Sequence, residues 1–400
     1  GITDEESPNH CNNFGGNALY DIYLANDAVG LVAPENPYPV EPYIGGFTSF
    51  MQVTPLGNEH TFVPDWSVHV IAHELHHAIQ IRYGTSVSGE PGNYAYNGWL
   101  YEQTSTYMEN VIFPASYHFL VMMGNCNITS PLTYPEISID SSVDIYQYRS
   151  ALWQKFLVEA YGDSTINRLI WEGFGLETAT GNPVNMFPIY ESALQTVTDG
   201  VTTLGDAYQD YALWRYFTGS RSRPGEFFMQ AASYCTANLL AIEETSTTFP
   251  SEKGGARLVK LLPYETNLLL ASSAYDNLLV QHISFSEEDE ILMSSIEVNG
   301  EESFFQLYNP AGDNHALLIT SEYTAEPGEE IEFTLANTVP FMEGDITGDS
   351  MVNVQDVIVQ INIILHQIDP TDYQWLAADL DENNVVDVLD VILLVNLILG

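Results

Sequence analysis

The chain is 400 residues long, and 10 Lys+Arg against 54 Asp+Glu leave a formal charge of −44. That length exceeds one ordinary core, so two or three domains are expected, and 45% hydrophobic with 12% aromatic residues argue against global disorder. The acidity argues against nucleic acid or an anionic membrane surface as partner, because polyanions repel one another.

From the N-terminus, Ala18–Leu24 and Gly46–Val53 read as strands, the second bounded by Gly45–Gly46 and Pro55. Asp65 then precedes Trp66–Arg82, a helix-length segment without Pro or Gly. Gly98–Ile112 is a second helix, stopped by Pro114, and Val143–Tyr161, Ser164–Trp171 and Leu204–Phe217 are further helical windows. Around Thr245–Gly255 the pattern dissolves into Ser, Thr, Pro and Gly, which marks a linker. Beyond it the texture is short strands at the spacing of a β-sandwich. These are Leu258–Leu262, Leu268–Ala271, Leu278–Ser284, Ile291–Val298, Phe304–Tyr308, Ala316–Thr320 and Ile331–Leu335, with a hairpin turn at Asn299–Gly300. No chemistry is visible in that region.

After Lys260 there is no Lys or Arg, while 26 Asp+Glu follow. Carboxylates without cations to pair with repel one another unless metal ions or salt screen them, a first pointer to calcium. Cys11, Cys126 and Cys235 allow one intramolecular disulfide and match no zinc knuckle. The first residue is Gly rather than Met, which reads as a trimmed chain and leaves room for a removed signal peptide. No apolar run reaches the roughly 18 residues a transmembrane helix needs. The expectation is an exported or cell-surface protein.

His73-Glu74-Leu75-His76-His77 is an HExxH motif. On a helix His73 and His77 lie one turn apart on one face, so both imidazoles can bind one Zn²⁺, while Glu74 can take a proton from metal-bound water. His76 points to another face and His69 lies a turn earlier, so neither is expected to be a ligand. A catalytic zinc takes a third protein ligand. Residues 78–83 supply no third His, which leaves a downstream carboxylate, and of Glu102 and Glu109 on the Trp99–Glu109 segment Glu102 is the better ligand candidate. Glu109, two turns further, is expected to back a ligand or stay solvated, and Glu90 is a poorer choice. Strand Gly46–Val53 is expected to pair with an extended substrate.

These pieces resemble the gluzincin metallopeptidases, and more closely a family of secreted bacterial metallopeptidases, over roughly residues 15–235. The matching segments are His73–His77, Trp99–Glu102, Tyr146–Leu157 and Trp214-Arg-Tyr-Phe-Thr-Gly219. Gluzincins commonly carry an Asp four residues after the ligand Glu to orient a zinc-bound His, whereas Thr106 stands here. The resemblance implies peptide-bond hydrolysis with Glu74 as general base on a protein or peptide substrate. Tyr148 or Tyr146, or else His118, is expected to supply a donor to the oxyanion.

The C-terminal part holds an internal repeat, Asp345–Asp356 aligning with Asp379–Asp390. Asp345, Thr347, Asp349, Asn353 and Asp356, then Asp379, Asp381, Asn383, Asp387 and Asp390, put oxygens at positions 1, 3, 5, 9 and 12 of an EF-hand-type loop. Met351 and Val385 would add a backbone carbonyl at position 7. Asp at position 12 and the paired arrangement resemble a type I dockerin over about residues 343–400, which implies two structural Ca²⁺ and a cohesin-like partner. Positions 10 and 11, which cohesins commonly read, are Val354–Gln355 and Val388–Leu389 rather than small hydroxylated residues.

The expected architecture is multidomain α+β. A mainly helical zincin-like peptidase domain with a small β-sheet spans 1–245, a β-sandwich 256–340, and a small all-α module of paired calcium loops 341–400. The leading function is a secreted zinc endopeptidase with one catalytic Zn²⁺, two Ca²⁺ and a dockerin-like tether. The alternative is a calcium-dependent assembly protein whose HExxH domain is degenerate and only binds. A zinc hydrolase acting on a non-peptide ester or amide is a third reading.

Overall fold

The computed structural model describes residues 20–24, 30–53, 64–84, 97–114, 117–180, 184–241, 247–251, 254–260, 267–273, 278–285, 291–296, 303–307, 314–321, 331–337, 342–349, 351–370, 372–381, 383 and 385–400. Cys11, Glu90 and the Asn299–Gly300 turn lie outside them. The chain divides into two compact units, Gly1–Asn238 and Leu239–Gly400. Among the described residues no helix is long and apolar enough to cross a membrane.

The first unit opens with a three-stranded sheet of β1 (Ile22–Leu24), β2 (Gly30–Pro37) and β3 (Phe47–Val53), in the order β1-β3-β2. β3 pairs parallel with β1 and antiparallel with β2. The expectation that Gly46–Val53 takes an extended substrate is corrected here, because β3 is the central strand, with β2 along one side and β1 on Met51–Val53 of the other. β2 escapes a sequence reading because Pro34 and Pro37 break its pattern; as an edge strand with an irregular register it tolerates them.

Helix α1 (Pro64–Tyr83) packs against β2 and β3 around a core of Val32, Met51, Val53, Ala78 and Ile81. It also packs against α2 (Gly98–Ile112), which buries Gln103, Thr104, Ser105, Thr106, Glu109 and Asn110. Such a polar helix survives burial when its groups find partners. Gln103 donates to Ile139 O and Ser150 Oγ and accepts from Gln154 Nε2 at 2.7 Å. After α3 (Tyr117–Gly124), the expected Val143–Tyr161 helix is broken at Ser150 into α4 (Tyr146–Arg149) and α5 (Ala151–Tyr161). A 3-10 turn, Val143–Ile145, leads into α4.

Helices α6 (Thr165–Thr178), α7 (Met186–Val197) and α8 (Leu204–Tyr216) complete the unit. α7 is hidden from a sequence reading by Pro188 in its first turn, where the missing N–H costs nothing. The stretch Gly173–Phe217 supplies core: Phe174, Tyr190, Tyr208, Tyr211 and Phe217 are wholly buried, with Trp153 and Phe156 of α5 among them. Buried Arg215 donates to the carbonyls of Tyr211, Pro131 and Pro135 and lies over the Tyr211 ring. A disulfide joins Cys126, just past α3, to Cys235, and their sequence separation is 109.

The second unit contains two sheets. β5 (Thr247–Ser251), β7 (Asn267–Ser273), β10 (Ser303–Leu307) and β12 (Ile331–Asn337) form one, ordered β10-β7-β12-β5. β4 (Leu240–Ala241), β6 (Ala256–Lys260), β8 (Leu278–Phe285), β9 (Leu292–Ile296) and β11 (Asn314–Ser321) form the other, ordered β4-β6-β11-β8-β9. β5 corrects the expected linker: its Thr and Phe residues pair with β12, and Pro250 is accommodated because β5 is an edge. A helical module follows with α9 (Val354–Ile364), α10 (Asp372–Ala378) and α11 (Val388–Leu399), closed over Ile346, Ile363, Ala377, Ala378 and Leu394.

The disulfide closes a long loop and so removes much chain entropy from the unfolded state. The double variant Cys126→Ser/Cys235→Ser is expected to lose about 2–5 kcal/mol of stability. Denaturant unfolding of the two proteins under identical calcium measures it, and an unchanged midpoint would contradict the expectation.

Candidate functional site

The α1–α2 contact carries the HExxH motif on one side and two glutamates on the other. His73 and His77 present their rings 4.7 Å apart at 82°. Glu102 Oε2 lies 2.9 Å from His73 Nε2 and 3.4 Å from His77 Nε2. The ligand atoms of these three residues all fall within 4.8 Å of one another. Three ligands at about 2.0–2.2 Å from one tetrahedral ion stand about 3.3 Å apart, so this spacing fits zinc. The donor set, two imidazoles and one carboxylate, is also a zinc set.

What lies behind the imidazoles makes the fit more specific. His73 Nδ1 donates to Glu109 Oε1 at 2.8 Å, and the other oxygen of Glu109 accepts from His118 Nδ1 at 2.6 Å. His77 Nδ1 stands 2.6 Å from Gln80 Oε1 and 3.1 Å from Ser105 Oγ. The Gln80 amide nitrogen donates to Tyr101 O, Thr104 and Ser105, so its oxygen must accept, and His77 Nδ1 must carry the proton. Both Nδ1 atoms are thereby committed, and the Nε2 atoms face Glu102, the orientation metal-binding histidines need. Glu109 takes the orienting position that the expected Asp would hold at Thr106, from one helical turn further on.

Electrostatics follow the same arrangement. Burial alone would lower the His73 pKa, but the hydrogen bonds to Glu102 and Glu109 outweigh it and raise it to about 9. Burial would raise Glu102, yet His73 and His77 bring it down to about 2. Glu74, only 7% exposed, is pushed above the usual carboxylate range by burial, against the pull of His77 and His73. His76 is held low, at about 3, by burial, with its ring edge-on to Trp171, and so stands apart from the triad. His69 is stacked on His118 at 6.2 Å, also outside it.

Two cavities meet at the motif, sharing Gly30, His73, Glu74 and Tyr148. One of 290 Å³ adds His69, Val70, His118, Met122 and Ile145. The other, 310 Å³, adds Leu31, Val32, His77, Ile81, Tyr101 and Glu102. Tyr148 stacks on His73 with ring centroids 5.9 Å apart, and burial, with the charge of Glu102 nearby, pushes its hydroxyl pKa up. Tyr146 is buried instead, donating to Ile137 O at 3.3 Å, so of the two tyrosines only Tyr148 reaches the site. Gly30, Gln80 and Ser105 were not singled out from the sequence. Gln80, one turn from His77, and Ser105, one turn from Glu102, follow a helical spacing that could have flagged them.

In the C-terminal module the repeats are built alike. Thr347 N and Oγ1 both donate to Asp356 Oδ1 at 2.9 Å, and Gly348 N and Asp349 N donate to Asp345 Oδ1. In the second loop Leu380 N and Asp381 N donate to Asp390 Oδ1, and Asp379, Asp381 and Asp390 bring ligand oxygens within 4.8 Å. Asn383 N donates to Asp379 and Asp381, and Val385 N to Asn383 Oδ1. Asn353 and Asp387 spend one oxygen as N-caps of α9 and α11, donated to by Gln355 N and Leu389 N. The Asn353 amide also donates to the Met351 carbonyl at 3.3 Å. Asp345, Asp356 and Asp390 are wholly buried in a segment with no Lys or Arg, where a bound cation would balance their charge.

Gly30 of β2 approaches α1 so closely that a Cβ would sit 2.5 Å from both Glu74 Oε1 and Val70 Cγ1. Gly30→Ala is expected to cost about 1–3 kcal/mol, because the new methyl group overlaps Glu74 and Val70. Denaturant unfolding of the two proteins checks it, and an unchanged midpoint would contradict the close approach of β2 to α1.

The model of a family of unknown function (DUF6055) matches residues 61–192, which contain the HExxH motif, Glu102, Glu109 and Tyr148. No curated protein matches the chain. The model of the dockerin type I domain matches residues 343–399, spanning both loops and α9 to α11. The C-terminal module is a type I dockerin domain.

Proposed function

We propose that the first unit is a zinc-dependent, gluzincin-like endopeptidase, held in an extracellular or cell-surface assembly through its dockerin domain. The observation that carries this reading is the convergence of His73, His77 and Glu102, with Glu74 beside them and both Nδ1 atoms already engaged. Zinc held by those three residues would supply a Lewis acid that acidifies water and polarises a carbonyl. Glu74, with a pKa raised by burial, is suited to take the proton of an attacking water and return it to the leaving amine. Tyr148 lies where its hydroxyl can donate to an oxyanion in the cavity it shares with Glu74. Edge strand β2, whose Gly30, Leu31 and Val32 line the larger cavity, is the strand an extended peptide pairs with in this reading. The Cys126–Cys235 disulfide suits an oxidising location outside the cell.

Dockerin domains bind calcium and bind cohesins, so the tether's partner is a cohesin. Val354 and Val388, at position 10 of each loop, are each 64% exposed, which makes this an apolar recognition surface rather than a hydroxylated one.

Casein cleavage by the zinc-loaded wild type and Glu74→Gln tests the catalytic reading. The variant is expected to keep its zinc and lose about 10²–10⁴ in turnover. Equal turnover in both would remove Glu74 as base. No turnover in either, with zinc bound, would favour the reading in which the HExxH unit only binds.

Calcium titration by calorimetry tests the loops. Two ions per wild-type chain are expected, and one in either Asp356→Asn or Asp390→Asn. Undiminished stoichiometry in the variants would exclude the position-12 carboxylates as ligands.

A further inference from the structure

The segment that delivers Tyr148 to the metal centre is strained. Asp144 and Ile145 are consecutive non-glycine residues in the left-handed region, at φ 47°, ψ 44° and φ 55°, ψ 27°. For a β-branched residue this conformation is a genuine outlier, because Cβ crowds the following carbonyl. Strain of this kind persists only where the surroundings enforce it, and it clusters at functional sites.

Here the enforcement is visible. Arg149, 8% exposed, donates through Nη1 to Asp144 O at 2.9 Å, to Asp144 Oδ2 at 3.3 Å and to Thr129 O at 2.8 Å. Thr129 Oγ1 donates to the same Asp144 carboxylate at 2.7 Å. The guanidinium therefore staples the start of the turn to the end of α4, and both to the 125–133 loop that follows Cys126. Between the two ends of the staple lie Ile145, which walls the smaller cavity, and Tyr148, which stacks on His73 and lines both cavities. A turn relaxed to ordinary backbone angles would swing α4 and carry Tyr148 away.

We infer that Arg149, with the left-handed pair Asp144–Ile145, is a positioning device that holds Tyr148 against the HExxH centre. Arg149 acts on that centre through the turn it holds and, in this inference, chiefly through Tyr148. The inference rests on the proposed zinc site, and its test separates failure of the peptidase reading from its own.

The test is a double-mutant cycle on the zinc-loaded full chain, with acetohydroxamate as a metal-directed probe and bound zinc measured in every variant. Tyr148→Phe is expected to weaken probe binding about tenfold, and Arg149→Met about as much, with zinc content unchanged. The double variant is expected to bind no more weakly than Tyr148→Phe alone, a pattern that general loosening of the fold would not produce. Should Arg149→Met fail to fold, Asp144→Asn, at an exposed side chain, carries the cycle with an expected loss of about threefold. Losses that multiply, or wild-type binding in Arg149→Met, would overturn the inference. A zinc-loaded wild type that binds no hydroxamate overturns it too, because Tyr148 would then not serve the centre. Casein turnover is measured alongside: no turnover with the non-additive pattern intact removes the peptidase reading and leaves the positioning role standing.

Discussion

One carboxylate, Glu109, ties together the three helices that build the candidate site. It is 2% exposed and accepts from an imidazole with each oxygen, His73 from α1 and His118 from α3. Two donors to a buried carboxylate are strong, charge-assisted bonds, and they fix the relative rotation of three helices at once. With that rotation set, Glu102 faces His73 and His77, Gln80 reaches behind His77, and the cavities open on Glu74. A helix pair joined only by apolar contacts would pack as tightly but would leave the imidazoles free to turn.

Legibility from the sequence tracks how local each feature is. The HExxH pair and Glu102 could be placed because helical spacing alone brings the first two together and leaves few carboxylates for the third position. The calcium loops were equally legible, since their ligands sit within one turn-and-cap segment and the repeat supplies an internal control. The close approach of Gly30 to Glu74 could not be read, because nothing in the strand's own pattern says which helix it meets. The same holds for β3: alternation identifies a strand but not its neighbours, so the sequence cannot tell that it lies between β1 and β2. Pro34, Pro188 and Pro250 each hid an element, and each sits where the missing N–H is harmless.

The two halves of the chain handle burial of charge differently. In the first unit, buried carboxylates are balanced by histidines, and buried cations such as Arg215 by carbonyls. In the dockerin domain no basic side chain other than His366 exists, so balance must come from ions in solution. The folded state of that module is therefore tied to its surroundings, whereas the first unit carries its counter-charges within itself.

The position of the disulfide has a mechanical meaning for a tethered molecule. A pull transmitted from the second unit enters the first at Asn238, three residues beyond Cys235. At Cys235 the sulfur–sulfur bond offers a covalent path to Cys126, so tension carried along the backbone toward the residues before Cys126 bypasses residues 127–234, which lie inside a closed ring. Helices α4 to α8, including the strained turn and Tyr148, are in that ring. A pull along the chain thus runs through the covalent link, and the segment that shapes the cavity is not drawn out with it.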